Sequence, residues 1–274
     1  MTNSPTVSVI TWDGGFRENY HTVDFFCKQT IDSIEFEFLW LEYYSSIKAE
    51  LAEKINQYSN ARTICLGNEG DWHVAKCMNK GIKLSKGEHL ILIDGDIAVS
   101  ESFIEKDRLI HNQFPGSAVY YRRMDEPSRN GLDLKNEINL EYLKTNCILA
   151  NPTNYGGCLS ISKNSFEKVC GYEEHSLFSG NGAVSKELYI RLRNAGIPIL
   201  WHPTGEVYHP WHDGTIPSNK TTKRELQDLI INLRELELDT LPNQLQINNY
   251  MKKISSNELK DNKWEMLVNI FKAK

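Results

Sequence analysis

No apolar run in this 274-residue chain approaches membrane-spanning length, and the opening Met-Thr-Asn-Ser-Pro lacks the basic and apolar regions of a signal peptide. A cytoplasmic location is the expectation. Positive charge is also scarce. Against 36 acidic residues stand 31 Lys and Arg, and the net charge of -5 gives no global electrostatic reason to expect nucleic acid. The cysteines, Cys27, Cys65, Cys77, Cys147, Cys158 and Cys170, form no CxxC pair, so reduced, mostly buried thiols are expected and a structural zinc is disfavoured. Internal repeats and low-complexity tracts are missing too. The remainder, 40% hydrophobic and 24% charged, suits a soluble globular chain with one large α/β domain and a small appendage.

Strand and helix patterns alternate through the first third. Thr6 to Trp12 is a β-branched run stopped by Asp13-Gly14-Gly15, and Glu18 to Ile31 follows as a helix. Phe36 to Glu42 and Ile47 to Tyr58 repeat the pair, and Ala61 to Leu66 is a third strand. Asp71 is placed to cap a helix carrying Val74, Cys77, Met78 and Ile82 on one face, with Gly87 as its stop. The Leu90 to Ile93 strand comes next. Such alternation predicts a doubly wound, mostly parallel sheet covered on both faces.

Beyond it, Ser117 to Arg122 reads as a strand, Arg123 to Asn136 as a polar, mobile loop, and Tyr155 to Ser162 as a strand entered through Gly156-Gly157. Residues 184 to 194 have helical spacing, and Pro198 to His209 is strand with a bend. From residue 217 the chain turns helical. Leu226, Leu229, Ile230, Leu233 and Leu236 form one stripe, Pro242 interrupts, and Trp264, Leu267, Val268 and Phe271 follow. The expected division is 1–216 for the catalytic body and 217–274 for a helical appendage packed on that body or on a second copy, as in a homodimer.

The most informative segment is His89 to Ala98, H-L-I-L-I-D-G-D-I-A. A buried strand there delivers Asp94 and Asp96 together at a sheet's carboxyl end, where open α/β sheets bind ligands. Two like charges so close call for a cation. Hard oxygen ligands favour Mg²⁺ or Mn²⁺, which commonly takes substrate phosphates as further ligands, so a nucleotide diphosphate is implied.

Set side by side, these pieces resemble the GT-A glycosyltransferases, especially the family 2 type and the galactosyltransferase carboxyl-terminal region. The order is a parallel half ending in D-x-D, a Gly-Gly strand, F-E-K-V-C-G-Y at Phe166 to Tyr172, a glycine turn before a helix, and a strand ending in histidine. The resemblance covers about residues 6 to 212. It implies a GT-A-like fold and a sugar moved from a nucleotide sugar, a UDP-sugar first, to an acceptor hydroxyl on a glycan, lipid-linked saccharide, protein or modified nucleic acid. It also implies that Asp94 and Asp96 bind Mn²⁺ or Mg²⁺ and the donor. Thr11, Trp12 and Asp13 then meet base and ribose, as does Glu42. Asp71 in N-E-G-D-W-H-V-A-K approaches the base, and Lys76 or Arg17 the diphosphate. His209, in E-V-Y-H-P-W-H-D, is implied as a metal ligand ahead of His212, with Trp211 shaping a sugar pocket. The Gly156-Gly157 turn would bring backbone amides close to the sugar, and the 123–136 loop would close over the donor.

One departure falls where the chemistry is decided. Inverting members carry a Glu-Asp pair before a Leu-rich helix, and here Val184 and Ser185 hold those positions. Neither acts as a general base at neutral pH. Glu187, at the motif's next acidic position, is the nearest substitute, with His175 and Asp213 as others; a retaining mechanism would dispense with a dedicated aspartate. Two other classes compete. A nucleotidyltransferase would want a Gly-rich, basic phosphate loop after the first strand, and Asp13-Gly14-Gly15-Phe16-Arg17 is a poor one. A catalytically silent binding module would account for Val184-Ser185.

Overall fold

The computed structural model describes residues 6–127, 138–180, 182–212 and 221–255. Its first half alternates β1 (Val7–Asp13), α1 (His21–Cys27), β2 (Phe36–Glu42), α2 (Ala49–Ile55), β3 (Ala61–Cys65), α3 (Val74–Leu84) and β4 (His89–Ile93). There follow β5 (Ala98–Val99), α4 (Phe103–Gln113), β6 (Ala118–Tyr120), β7 (Arg123–Asp125), α5 (Leu140–Asn146), β8 (Cys158–Ser162), α6 (Lys163–Glu167) and α7 (Ala183–Asn194). The chain continues through β9 (Ile199–Trp201), β10 (Val207–His209), α8 (Thr221–Glu237) and α9 (Gln244–Ser255).

The main sheet runs β3-β2-β1-β4-β8-β6-β9, with β8 antiparallel to both neighbours and the other pairings parallel. Every residue of β1 and β2 is buried, as expected of strands covered on both faces, whereas edge strand β3 is half-buried. One face packs against α3, α7 and α8, the other against α1, α2 and α4. Helix α3 lies close to the sheet because Gly81 has no side chain: a Cβ there would come within 2.6 Å of Ile10 and 2.8 Å of Leu41. Chain order reverses between β1 and β4, so the ligand crevice of a doubly wound sheet opens there.

A second sheet, β5-β10-β7, lies beside that crevice. Strand β7 corrects the expectation of a loop from Arg123. Its residues pair in parallel with β10, setting Asp125 opposite His209. Residues 128–136 of the expected lid lie outside the described residues, as do Asp213 and the Trp264 to Phe271 stretch. Helix α8 packs against α7, and Ile230, Ile231 and Leu233, with Ile247 of α9, are buried in the same core as the main sheet. Leu226, Leu229, Ile230 and Leu233 of the stripe thus face the chain's own body, one of the two placements expected for it.

Candidate nucleotide and metal site

The loops leaving β1, β2, β3 and β4 meet at one edge. Tyr43 donates its backbone N–H to the Asp13 carbonyl at 3.0 Å, and Leu66 donates to that of Glu42 at 2.8 Å, which ties these loops together. Thr11, Asp13 and Glu42 are buried at the strand ends, and the Thr11 hydroxyl has no hydrogen-bond partner among the described residues. Burial pushes the Glu42 carboxyl up to about 7, and burial likewise raises that of Asp13. Trp12, Phe16 and Trp72 form an aromatic cluster, with Trp12 and Trp72 centroids 5.0 Å apart. Gly14 makes room for it, since a Cβ would lie 2.8 Å from the Trp72 Cβ.

Asp94 and Asp96 stand where β4 ends. Asp94 accepts from the Trp12 indole N–H at 3.4 Å, and its own amide donates to the Gly157 carbonyl at 3.2 Å. Arg123 approaches its second oxygen at 3.8 Å. Asp96 Oδ2 faces Nε2 of both His209 and His212 at 3.5 Å, and those two nitrogens lie 3.1 Å apart. Arg17 Nη1 also donates to that oxygen, while Asp96 Oδ1 is buried without a partner among the described residues. Burial raises the Asp94 carboxyl, and the Asp96 charge adds to it. Burial pushes on Asp96 too, but Arg17 and the two imidazoles hold it well below the usual range. Behind the cluster, Asp125 Oδ1 lies 3.1 Å from His209 Nδ1 and 2.8 Å from Arg123 Nε. A carboxylate on Nδ1–H fixes the tautomer that leaves Nε2 a free lone pair, the usual backing of a metal-ligating histidine.

The residues fit a divalent ion. Metal bonds of about 2.0–2.2 Å separate neighbouring ligand atoms by about 2.8–3.1 Å at octahedral angles and about 3.3–3.6 Å at tetrahedral ones, the range in which the 3.1 and 3.5 Å seen here fall. Carboxylate plus imidazole suits Mn²⁺, with the orphaned Asp96 oxygen as a further acceptor, whereas Asp94, expected as a ligand, stands outside this three-residue group.

Several expected residues are placed differently. Glu187 is wholly buried: its carboxylate takes Arg191 Nε at 2.7 Å and Arg234 Nη1 at 2.9 Å, so it ties α7 to α8 and is closed to an acceptor. That corrects its assignment as general base. The Gly156 and Gly157 amides both donate to Asn154 Oδ1, at 3.1 and 3.0 Å, so they are not available to a sugar; a Cβ at Gly157 would instead meet Arg123 at 3.2 Å. The N-cap position of α3 is held by His73, and Asp71 is exposed two residues ahead of it, so Asp71 is not the cap residue. Lys76 is half-buried on that helix. His175 accepts from the Leu177 amide through Nδ1 and faces Asn248 through Nε2, a structural role. Asp125 and Arg123 were missed because their segment is polar and aperiodic.

No protein-family model and no curated protein matches the sequence. Among solved structures, the chain superposes on S. aureus TarS residues 1–349 with a TM-score of 0.62 at 15% identity, over 95% of this chain and 77% of that one. The complex of TarS 1–349 with UDP-GlcNAc gives 0.61 at 14% identity over 95% and 77%, and its UDP complex 0.61 at 14% over 88% and 68%. TarS is a GT-A-type glycosyltransferase. The fold is GT-A-like. Against a longer TarS structure the score is 0.61 at 14% identity, covering 94% of this chain but only 44% of TarS, so the chain spans less than half of that protein. Among the described residues no helix is long and apolar enough to cross a membrane.

Proposed function

We propose that the chain is a metal-dependent glycosyltransferase that moves a sugar from a nucleotide sugar, a UDP-sugar, to an acceptor hydroxyl. The observation that carries this reading is the convergence of Asp96 Oδ2, His209 Nε2 and His212 Nε2 within 3.1–3.5 Å at the carboxyl ends of parallel strands. The GT-A-like fold and the UDP and UDP-GlcNAc complexes of TarS support it. A bound Mn²⁺ or Mg²⁺ would neutralise charge on the departing diphosphate, the main electrostatic cost of breaking the sugar C1–O bond. Asp96, His209 and His212 would hold that ion, with Asp94 next to them and Asp125 orienting His209. Thr11, Trp12, Asp13 and Glu42, with the adjoining aromatic cluster, would form the nucleoside wall, and Asp71 and Lys76 its rim.

A second reading is favoured by Val184 and Ser185, buried where inverting relatives place their acidic pair. On that reading the cleft binds the donor without transferring it. Incubating the protein with Mn²⁺ and a panel of UDP- and GDP-sugars separates the outcomes. Release of UDP supports the transferase, formation of UTP and sugar 1-phosphate when pyrophosphate is added supports a nucleotidyltransferase, and binding without turnover supports the silent module.

A further inference from the structure

Arg17 sits in the middle of the acidic pair. Its side chain is 6% exposed, its Nε donates to the Trp12 carbonyl at 3.3 Å, and its guanidinium lies 5.3 Å from the Phe16 ring centre and 5.7 Å from that of Trp12. Gly95, the residue between the aspartates, makes this possible: a Cβ there would fall 2.5 Å from Arg17 Nε. The D-G-D glycine is therefore a requirement of the arginine's packing.

Nη1 is bonded to Asp96 Oδ2, the same oxygen that faces His209 and His212 at 3.5 Å. A guanidinium held against that oxygen and a divalent ion compete for the same negative charge, and each repels the other at this distance. Among the described residues Arg17 Nη2 makes no hydrogen bond, so its planar fork has donors to offer an anion.

We propose that Arg17 exchanges partners when the donor loads: it neutralises Asp96 in the ion-free protein, yields Oδ2 to the divalent ion, and turns its guanidinium to the donor's diphosphate. This rests on reading the cleft as a nucleotide-sugar site. Arg17 then competes with the ion when no nucleotide is present and stops competing when a diphosphate occupies it. Ion and nucleotide binding are thereby positively coupled through one side chain.

Titrations of wild type, Arg17→Met and Arg17→Lys test the exchange, with Mn²⁺ followed by electron paramagnetic resonance and UDP by calorimetry, each alone and together. Arg17→Met is expected to bind Mn²⁺ alone about 5–10-fold more tightly, to bind UDP alone at least about 10-fold more weakly, and to lose most of the tightening of Mn²⁺ by UDP, within the usual range of coupling between sites. Arg17→Lys, which keeps the charge without the fork, should fall between and decides the matter if Arg17→Met does not fold. Unchanged or weaker Mn²⁺ binding in the variants, or UDP binding at wild-type strength, overturns the exchange while leaving the donor site standing. A wild type that binds neither Mn²⁺ nor UDP overturns both.

Discussion

Strand β4 carries a histidine–carboxylate cluster at each end, and among the described residues these are the two groups with the composition of a metal site. At the ligand edge are Asp96, His209 and His212; near the strand's start, His89 meets Asp107 and His111 of α4. Their spacings differ in kind. In the second cluster His89 Nε2 lies 2.5 Å from Asp107 Oδ2, Ser160 donates to the same oxygen at 2.8 Å, Tyr121 donates to Oδ1 at 2.7 Å, and His111 Nε2 reaches Ser160 Oγ at 2.9 Å. Each contact pairs a donor with an acceptor at hydrogen-bond length, and Asp107 is wholly buried. That network is closed. At the ligand edge two imidazole nitrogens converge on one carboxylate oxygen at 3.5 Å, beyond a good hydrogen bond, and the Asp96 Oδ1 beside them has no partner among the described residues. Composition alone does not mark a candidate metal site; an unpartnered carboxylate oxygen beside nitrogens at coordination spacing does.

Alanine at Asp96 should break the comparison most sharply. Mn²⁺-dependent release of UDP from the donor is expected to fall to background per folded molecule, a loss separate from the stability cost of leaving Arg17 without its partner. Asp107→Ala should do the reverse. Turnover and its Mn²⁺ dependence stay, and urea denaturation shows a loss of about 3 kcal/mol, typical of breaking a buried pair on one side. Equal loss of Mn²⁺ binding in both variants would mean that the two clusters are not different in kind. Asp125→Asn sharpens the same point from behind the ligands, and a 10–100-fold fall in Mn²⁺ affinity, read by calorimetry, is the expected scale for an orienting carboxylate.

Glu187 supplies a second contrast, between a carboxylate expected at the chemistry and the structure's use of it. Glu187, Arg191, Arg234 and Glu173 are all buried in one ionic set joining α7 to α8. Glu187→Gln is expected to cost about 2–3 kcal/mol by denaturant titration, as for other one-sided losses in buried ion pairs, and to leave the rate per folded molecule unchanged. A selective loss of rate at full stability would restore it as a base.

The legible parts of the sequence were those set by local pattern. Phe36–Glu42 was read to the residue, and the D-G-D turn was visible because an apolar strand must end where charge begins. Glu187 and Arg191, four apart on a helix, already carried the signature of an ion pair, and the family motif outweighed it. The family resemblance brought Asp96 and His209 together, but partnerships between distant segments outside that pattern were not legible. Asp125 reaches His209 only because β7 pairs with β10, and Arg17 reaches Asp96 only because Gly95 is bare. Both depend on tertiary placement, which no window of sequence contains.

The smallest expected effect separates the two ends of the sheet by pH. At the ligand edge, burial raises the Glu42 carboxyl from 4.5 to about 7, so the folded state binds its proton more tightly than the unfolded chain does. Stability from this group is whole below 4.5 and fades as pH rises through about 7. At the other end, burial pushes the Asp107 carboxyl up, but hydrogen bonds from His89 and Tyr121 more than offset it and hold the group below 3.8. Its stability is present above that value and is lost as pH falls. Melting temperatures of wild type, Glu42→Gln and Asp107→Asn from pH 3 to 9 should therefore diverge in opposite directions. Glu42→Gln gains on wild type above pH 7 and matches it at pH 4, whereas Asp107→Asn loses most above pH 4 and approaches wild type at pH 3. Parallel curves for Glu42→Gln and wild type would show that Glu42 meets solvent freely, and the donor wall would lose its buried carboxyl.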